Sequence, residues 1–337
     1  MVTSATDAKQ HAARIAVAPT VLPDDQRPEA GPIAVLPVRG REENENAAIT
    51  AAGGTVAPLS DETRGIVYTS YSNVDTLIET LEQYPQIGWV QLPFAGIDAY
   101  AKRLVPHAQR GVIFTSAKGA YSQPVAEHAL MMTLAMQRLV VQRARATEWG
   151  KNGGLSLYGN NVVVVGAGGI ALTYIDQIAP FGCTVTVVRR SAGEVPGADR
   201  TITFAELDEV LPDADVVMLA APNTDETRHM INAERLRAMK STAVLVNVGR
   251  GPLVDNDALA AALDAGEIYG AGLDVTDPEP LPAEHPLWQN VRCLITPHTA
   301  DTPEQVAPLF AERVRLNVAA FLRTGEFVGI ADPVRGY

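Results

Sequence analysis

The stretch Val162-Val163-Val164-Val165-Gly166-Ala167-Gly168-Gly169-Ile170-Ala171 decides the fold. Four consecutive valines favour a strand, and their lack of polar alternation fits one buried on both faces of a parallel sheet. The glycines end that strand, and Ile170–Ile178 reads as a helix. Strand, Gly-x-Gly-x-x-Ala turn and helix, in that order, are the context a dinucleotide-binding fingerprint demands. Gly166 permits the tight turn, Gly168 lets backbone approach a pyrophosphate, and Ala171 is small enough for close helix–strand packing. The helix start at Gly169 and Ile170 offers free N–H groups and a positive dipole end to phosphate.

The next strand ends Val187-Val188-Arg189-Arg190-Ser191. A site selective for NAD places a carboxylate about 20 residues past the turn, on the ribose hydroxyls. No carboxylate adjoins Arg189. Two arginines and a serine would accept a 2′-phosphate instead, so the sequence predicts NADP(H) as the preferred cofactor, with NAD(H) as the alternative.

Outward from this unit, valine-rich runs continue at Val185–Val188, Val216–Leu219, Ala243–Val246 and Gly270–Val275. A long helix precedes it, opening at Ser122-Gln-Pro124, with apolar residues at 125, 129, 132, 136, 139 and 140. The first third alternates strands (Ile33–Pro37, Thr55–Pro58, Gly65–Thr69, Gly88–Leu92, Val112–Thr115) with helical stretches such as Asn73–Gln83. Thr302-Pro-Glu-Gln reads as a capping box opening a last helix, with Val306, Phe310, Val314, Asn317 and Phe321 on one face and a kink at Pro308. These alternations predict an α/β protein of two domains. Residues 1–30 read as an irregular N-terminal extension, 31–118 with 300–337 as a substrate domain, and 119–299 as the dinucleotide-binding domain.

The chain has 337 residues, 47% hydrophobic and 20% charged, and a net charge of −12. That charge argues against nucleic acid and anionic membranes as partners. No apolar run is long enough to span a bilayer, and no secretory leader pattern is present, so the expected location is cytoplasmic. Cys183 and Cys293 both read as buried small hydrophobes, and no metal pattern is present.

Three further segments put charged groups where strands end. They are Asn247-Val248-Gly249-Arg250, Asp274 through Glu279-Pro280, and Thr296-Pro297-His298. In open α/β sheets the ligand crevice lies beyond the carboxyl ends of the strands. Arginine binds a carboxylate through a planar fork, histidine transfers a proton near neutral pH, and a carboxylate beside the histidine favours its charged form. With a hydride carrier, this set suits interconversion of a 2-hydroxy acid and a 2-oxo acid. His128, on the long helix, is expected to pack at the domain junction.

The chain resembles the D-isomer-specific 2-hydroxyacid dehydrogenases. The resemblance runs from about Trp89 to the C-terminus through Ala95-Gly96-Ile97-Asp98, Val125-Ala-Glu127-His128-Ala, the glycine turn, Pro222-Asn-Thr-Asp-Glu-Thr227-Arg, Asn247-Val-Gly-Arg250-Gly, Asp274 to Pro280 and Thr296-Pro-His298. It implies two Rossmann-like, doubly wound parallel-sheet domains, the substrate domain formed by both chain ends. It implies that Arg250 grips the substrate, that His298 is the general acid/base and that Glu279 is its partner. Asp274 would hold the nicotinamide carboxamide, while Pro222, Thr227 and Val248 would lie along the cofactor. Backbone N–H groups around Ala95 and Gly96 would meet the substrate carboxylate. A homodimer acting on a small acid of the glyoxylate or hydroxypyruvate kind is implied.

The chain departs from the family at Gly169, Ala171 and Arg189, and in the run Thr299-Ala-Asp301-Thr after the histidine. Two rival readings are a dinucleotide-sensing binding protein of the same fold, without significant turnover, and a formate dehydrogenase. The latter usually carries glutamine where Glu279 stands.

Overall fold

The computed structural model describes His11, residues 18–191 and residues 193–336. It forms two units: the chain up to Tyr121 together with the chain from Thr302, and Ser122–Asp301.

The first unit opens with β1 (Thr20–Val21), in a stretch expected to be irregular. It continues through β2 (Ile33–Leu36), α1 (Glu43–Ala51), β3 (Gly65–Tyr68), α2 (Val74–Gln83), β4 (Trp89–Gln91), α3 (Ala101–Gln109) and β5 (Ile113–Thr115). Strands β2 to β5 are parallel and adjacent in chain order. Ile66, Val67, Trp89, Val90 and Phe114 bury completely between the layers. Asn73 caps α2 by accepting from the Thr76 amide. The strand expected at Thr55–Pro58 is only a bridge from Val56 to Ile33, on the free edge of β2. Its hydrogen bonds are Ile33 N–H to Thr55 O and Ala57 N–H to Ile33 O. The next bonds of such a parallel ladder would use Ala57 O and the Leu59 amide, and neither pairs with Val35 among the described residues.

The second unit runs through α4 (Ser122–Gln137), α5 (Val140–Ala144), β6 (Asn161–Val165), α6 (Gly169–Ile178), β7 (Thr184–Arg189), β8 (Arg200–Thr203) and α7 (Leu207–Val210). It continues with β9 (Val216–Leu219), α8 (Ala233–Ala238), β10 (Val244–Asn247), α9 (Asn256–Ala265), β11 (Gly270–Leu273) and β12 (Cys293–Ile295). The sheet order is β12-β11-β10-β9-β6-β7-β8, with every neighbouring pair parallel. The chain winds outward from β6 in both directions, so the crevice between β6 and β9 is the topological switch point. The four valines of β6 are buried between β7 and β9, as their pattern requires.

Glycines in β11 fix where α4 lies. A Cβ at Gly270 would meet Met136 at 2.8 Å, and one at Gly272 would meet Met132 at 2.8 Å. Four residues of helix rise about 6 Å, as do two residues of strand. The helix residues 136, 132 and 128 therefore step along 270, 272 and 274. The apolar spacing suggested that α4 continues through Val140, but it stops at Gln137, and Leu139 adopts a φ of 59°.

The chain then returns to the first unit as α10 (Pro303–Ala319), β13 (Glu326–Phe327) and β14 (Ile330–Ala331). The Thr302/Gln305 capping box is present, and Pro308 lies inside the helix without ending it. Of the expected inner face, Phe310, Val314, Asn317 and Phe321 are buried and Val306 is half-buried. Phe321 stacks on Trp89 with centroids 5.0 Å apart. Strand β13 pairs with β1, and β14 closes the five-stranded sheet beside β5. Cys293 is buried, but Cys183 is only half-buried: it lies just before β7 rather than within a strand, and it donates to Leu157 O. Among the described residues no helix is long and apolar enough to cross a membrane.

Candidate active site

At the end of β6, Gly166 has a φ of +112°, and a Cβ there would lie 2.7 Å from Ala220 O. No other residue fits, and its amide donates to Val188 O, pinning the turn to β7. Gly168 is the N-cap of α6, yet no side chain caps this helix. A Cβ at Gly168 would meet nothing within 4 Å. The chain therefore has no packing need for glycine at this position, whereas a phosphate group lying against the helix start does. Gly169 and Ala171 are buried in the first turn and Ile170 is half-buried. These features fit a dinucleotide. Arg189 ends β7 half-buried, with Arg190 and Ser191 exposed beyond it.

Across the switch point, the loop after β9 is closed by Thr227. Its hydroxyl donates to Pro222 O at 2.7 Å and accepts the Thr224 amide at 2.8 Å. Thr227 is almost fully buried, so it shapes this loop. Val248, also buried, donates its amide to Leu219 O at 3.2 Å.

After β10, Asn247 folds the chain back. Its side chain accepts the Gly249 amide and donates to Arg250 O at 2.9 Å. A Cβ on Gly251 would sit 1.8 Å from Thr276 O, so only glycine lets this loop lie against the one after β11. Arg250 emerges half-buried from that junction.

The loop after β11 carries Glu279. The Thr276 amide donates to Glu279 Oε1 at 3.1 Å, and Asn256 Nδ2 donates to Asp277 O at 2.9 Å. The other carboxylate oxygen, Oε2, lies 2.9 Å from His298 Nδ1. Burial pushes Glu279 up, but the His298 hydrogen bond and charge, the Thr276 amide and Arg250 together hold it below the ordinary range. The Glu279 hydrogen bond and charge raise His298 above 6.5, aided by Asp274, against burial and Arg250. With Nδ1 engaged, Nε2 is the nitrogen left to face a substrate.

His298 itself has a φ of +52°, a left-handed conformation that costs a non-glycine residue energy. Its amide donates to Asp274 O and Thr296 O. The Asp274 carboxylate accepts the amides of Thr299 and Ala300 at 2.8 and 3.1 Å, and the Thr296 hydroxyl at 2.6 Å. His128 Nε2 lies 2.9 Å from Thr296 Oγ1 and 3.6 Å from Asp274 Oδ1. The one Thr296 hydroxyl proton goes to Asp274, so His128 Nε2 is the donor to Thr296.

His128 was expected at the domain junction. Within its own unit it supports the His298 loop, because the register of α4 on β11 carries it over Asp274. Sequence reasoning missed this support, and with it Thr296, Asn247 and Asn256. Asp301 closes the loop half-buried; burial raises its carboxyl, against the charges of His298 and His128. Among the described residues no cluster of His, Cys, Asp and Glu could hold a metal ion.

Ala95 and Gly96 belong to the first unit, on the loop after β4; Ala95 is exposed and Gly96 half-buried.

Comparison with known proteins bears on this geometry. Residues 128–300 match the family described as D-isomer specific 2-hydroxyacid dehydrogenase, NAD binding domain. The chain is 40% identical over 257 residues to an uncharacterized protein in the proB 3′ region of Corynebacterium melassecola, covering 74% of this chain and 84% of that one. It is 35% identical over 232 residues to a glyoxylate reductase of Thermofilum pendens, covering 65% and 68%. The fold is similar to a solved D-isomer specific 2-hydroxyacid dehydrogenase from Xanthobacter autotrophicus Py2, in complex with NADPH and MES. That pair has a TM-score of 0.77 and 27% identity, covering 92% of this chain and 100% of that one.

Proposed function

The chain belongs to the D-isomer specific 2-hydroxyacid dehydrogenase family, and from that premise we propose that it reduces small 2-oxo acids such as glyoxylate or hydroxypyruvate, with NADPH preferred over NADH. The observation that carries the reading is the Glu279–His298 pair, 2.9 Å apart, in the unit that holds Arg250 and the glycine turn.

When bound, the reduced nicotinamide supplies a hydride to C2 of the acid. His298, kept charged by Glu279, donates its Nε2 proton to the carbonyl oxygen. Arg250 grips the carboxylate and stabilises negative charge growing on that oxygen. The Ala95 and Gly96 amides meet a substrate carboxylate. Arg189, Arg190 and Ser191 receive the 2′-phosphate, and nothing in the run from Val187 to Ser191 would repel it. The glyoxylate reductase relative supports the substrate class. The working form is a homodimer.

A panel of 2-oxo acids assayed with NADH and NADPH tests this. The expected result is turnover of glyoxylate or hydroxypyruvate with the higher kcat/KM for NADPH, lost by about 10²–10⁴ in His298→Ala. NADH ahead of NADPH would overturn the cofactor preference. Tight dinucleotide binding with no turnover of any acid would favour the sensing protein over the enzyme. Light scattering on the eluting protein checks the dimer.

A further inference from the structure

In the first unit, three successive carbonyls of the loop after β4 are tied back into the protein. Tyr121 Oη donates to Pro93 O at 2.6 Å, the Ala117 amide to Phe94 O at 2.9 Å, and Ser116 Oγ to Ala95 O at 3.2 Å. The other acceptor near that hydroxyl, Gly329 O at 3.5 Å, already takes the Ser116 amide at 2.8 Å. A peptide whose carbonyls face inward turns its amides outward. The amides of Ala95 and Gly96 donate to no group among the described residues. The loop is thus set to receive an anion.

What holds residues 116–118 in place is unusual. Arg313, on α10, is 3% exposed, and its Nη1 donates to Ser116 O at 2.7 Å and Lys118 O at 3.0 Å. No carboxylate pairs with it among the described residues, and burial pushes its pKa down to about 10. Gly329, at a φ of +75°, makes the room: a Cβ there would lie 2.6 Å from Arg313 Nη1 and 2.7 Å from Ser116 O. A buried guanidinium without a counter-ion is costly. Carbonyl ligands lower that cost, and an anion on the adjacent loop would lower it further.

We propose that Arg313 and Ser116 are positioning residues for substrate: Arg313 fixes the 116–118 segment, Ser116 turns the Ala95 peptide, and the pair presents the Ala95–Gly96 amides to the carboxylate of a 2-oxo acid while adding positive potential behind them. The proposal rests on the reading of that loop as the carboxylate site. It also gives the returning C-terminal helix a task at the substrate.

The test compares Ser116→Ala, Arg313→Met and Arg313→Lys with the unaltered enzyme. Steady-state kinetics with glyoxylate and calorimetric binding of oxamate in the presence of NADPH are both measured. Ser116→Ala should raise KM and weaken oxamate about tenfold, the equivalent of one lost hydrogen bond. Its kcat should stay within about twofold and its NADPH affinity should not change. Arg313→Met should raise KM more, and Arg313→Lys, which keeps the cation, should recover most of it. If Arg313→Met does not fold, Ser116→Ala and Arg313→Lys decide.

Unchanged KM and oxamate affinity in Ser116→Ala would overturn the proposal, even if its melting temperature fell. Oxamate failing to bind the unaltered enzyme would overturn it too. Failure of the functional reading looks different: no glyoxylate turnover by the unaltered enzyme, while oxamate still binds and still weakens in Ser116→Ala. In that case the brace stands and the activity does not.

Discussion

Gly166 and His298 sit at the carboxyl ends of strands in the same seven-stranded sheet, and both have positive φ. The two loops meet that demand in opposite ways. At Gly166 the residue type is the solution, since a Cβ would strike Ala220 O. At His298 the proposed proton transfer needs the imidazole, so the side chain cannot be given up. The left-handed conformation then costs about 1–2 kcal/mol. The Asp274 carboxylate offsets it by accepting the next two amides, each such bond to a charged group contributing roughly 1.5–3 kcal/mol. Where backbone alone serves the ligand, glycine suffices; where a side chain is needed, neighbours must hold it.

The largest effect should follow from removing that hold. Asp274→Ala would leave the Thr299 and Ala300 amides and the Thr296 hydroxyl without their acceptor at a nearly fully buried position. Each orphaned group costs about 1–3 kcal/mol, so the loop should relax and carry His298 away. Turnover should fall at least about a thousandfold, within the span ascribed to a general acid, with a lower melting temperature. NADPH affinity should fall far less, as the glycine turn is untouched. Equal loss of both would mean that Asp274 serves the nicotinamide more than the histidine.

The glycine turn breaks differently. Gly166→Ala should destabilise the protein by about 3 kcal/mol, from a 2.7 Å clash and a φ that alanine disfavours. Gly168→Ala is the sharper instrument. Its Cβ meets nothing in the protein, so thermal stability should hold while dinucleotide affinity falls. A parallel loss of stability at 168 would show that the protein, not the ligand, requires this glycine.

These loops also differ in how far sequence revealed them. The valine run, the glycines and the capping box at Thr302 are local patterns, so the second sheet, its turn and α10 could be read directly. Arg250, Glu279 and His298 stood out because each follows an apolar run. The support of His298 could not be read this way. His128, Asp274 and Thr296 lie far apart in the chain, and what joins them is the register of α4 on β11, set by glycines at 270 and 272 whose role shows only when Met132 and Met136 lie over them. Thr55–Pro58 failed for the opposite reason. Its residues look strand-like, but on the free edge of β2 only one bridge forms.

Glu279→Gln should have a smaller effect, confined to the pH profile. The hydrogen bond and charge of Glu279 raise His298, so the imidazolium persists above pH 6.5. A raised pKa means that the proton-donating form is fully present below the ordinary value and is lost as pH rises through the folded one. Glutamine removes the charge, and burial and Arg250 then act to lower the group. The alkaline fall in the reduction rate should move to lower pH, while kcat at acid pH drops by no more than about tenfold, below the usual range for losing a general acid outright. A pH limb that stays in place would assign the raised pKa to Asp274 instead.

The smallest effect bears most directly on the comparison. His298→Ala and His298→Gly remove the same imidazole and leave the same Glu279, so their difference isolates the backbone. In ordinary extended or helical backbone, alanine is the more stable of the two by roughly 0.5–1 kcal/mol, because glycine loses more entropy on folding. At a φ of +52° the order should invert, with His298→Gly more stable by about 1 kcal/mol. Denaturant unfolding at constant pH, with and without the Asp274→Asn change, measures it. The preference for glycine should shrink in the Asp274→Asn background, where one carboxylate acceptor becomes an amide donor and the loop is freer to leave the left-handed region. If alanine equals glycine in both backgrounds, residue 298 carries no strain in solution, and the contrast with Gly166 reduces to the clash at Ala220.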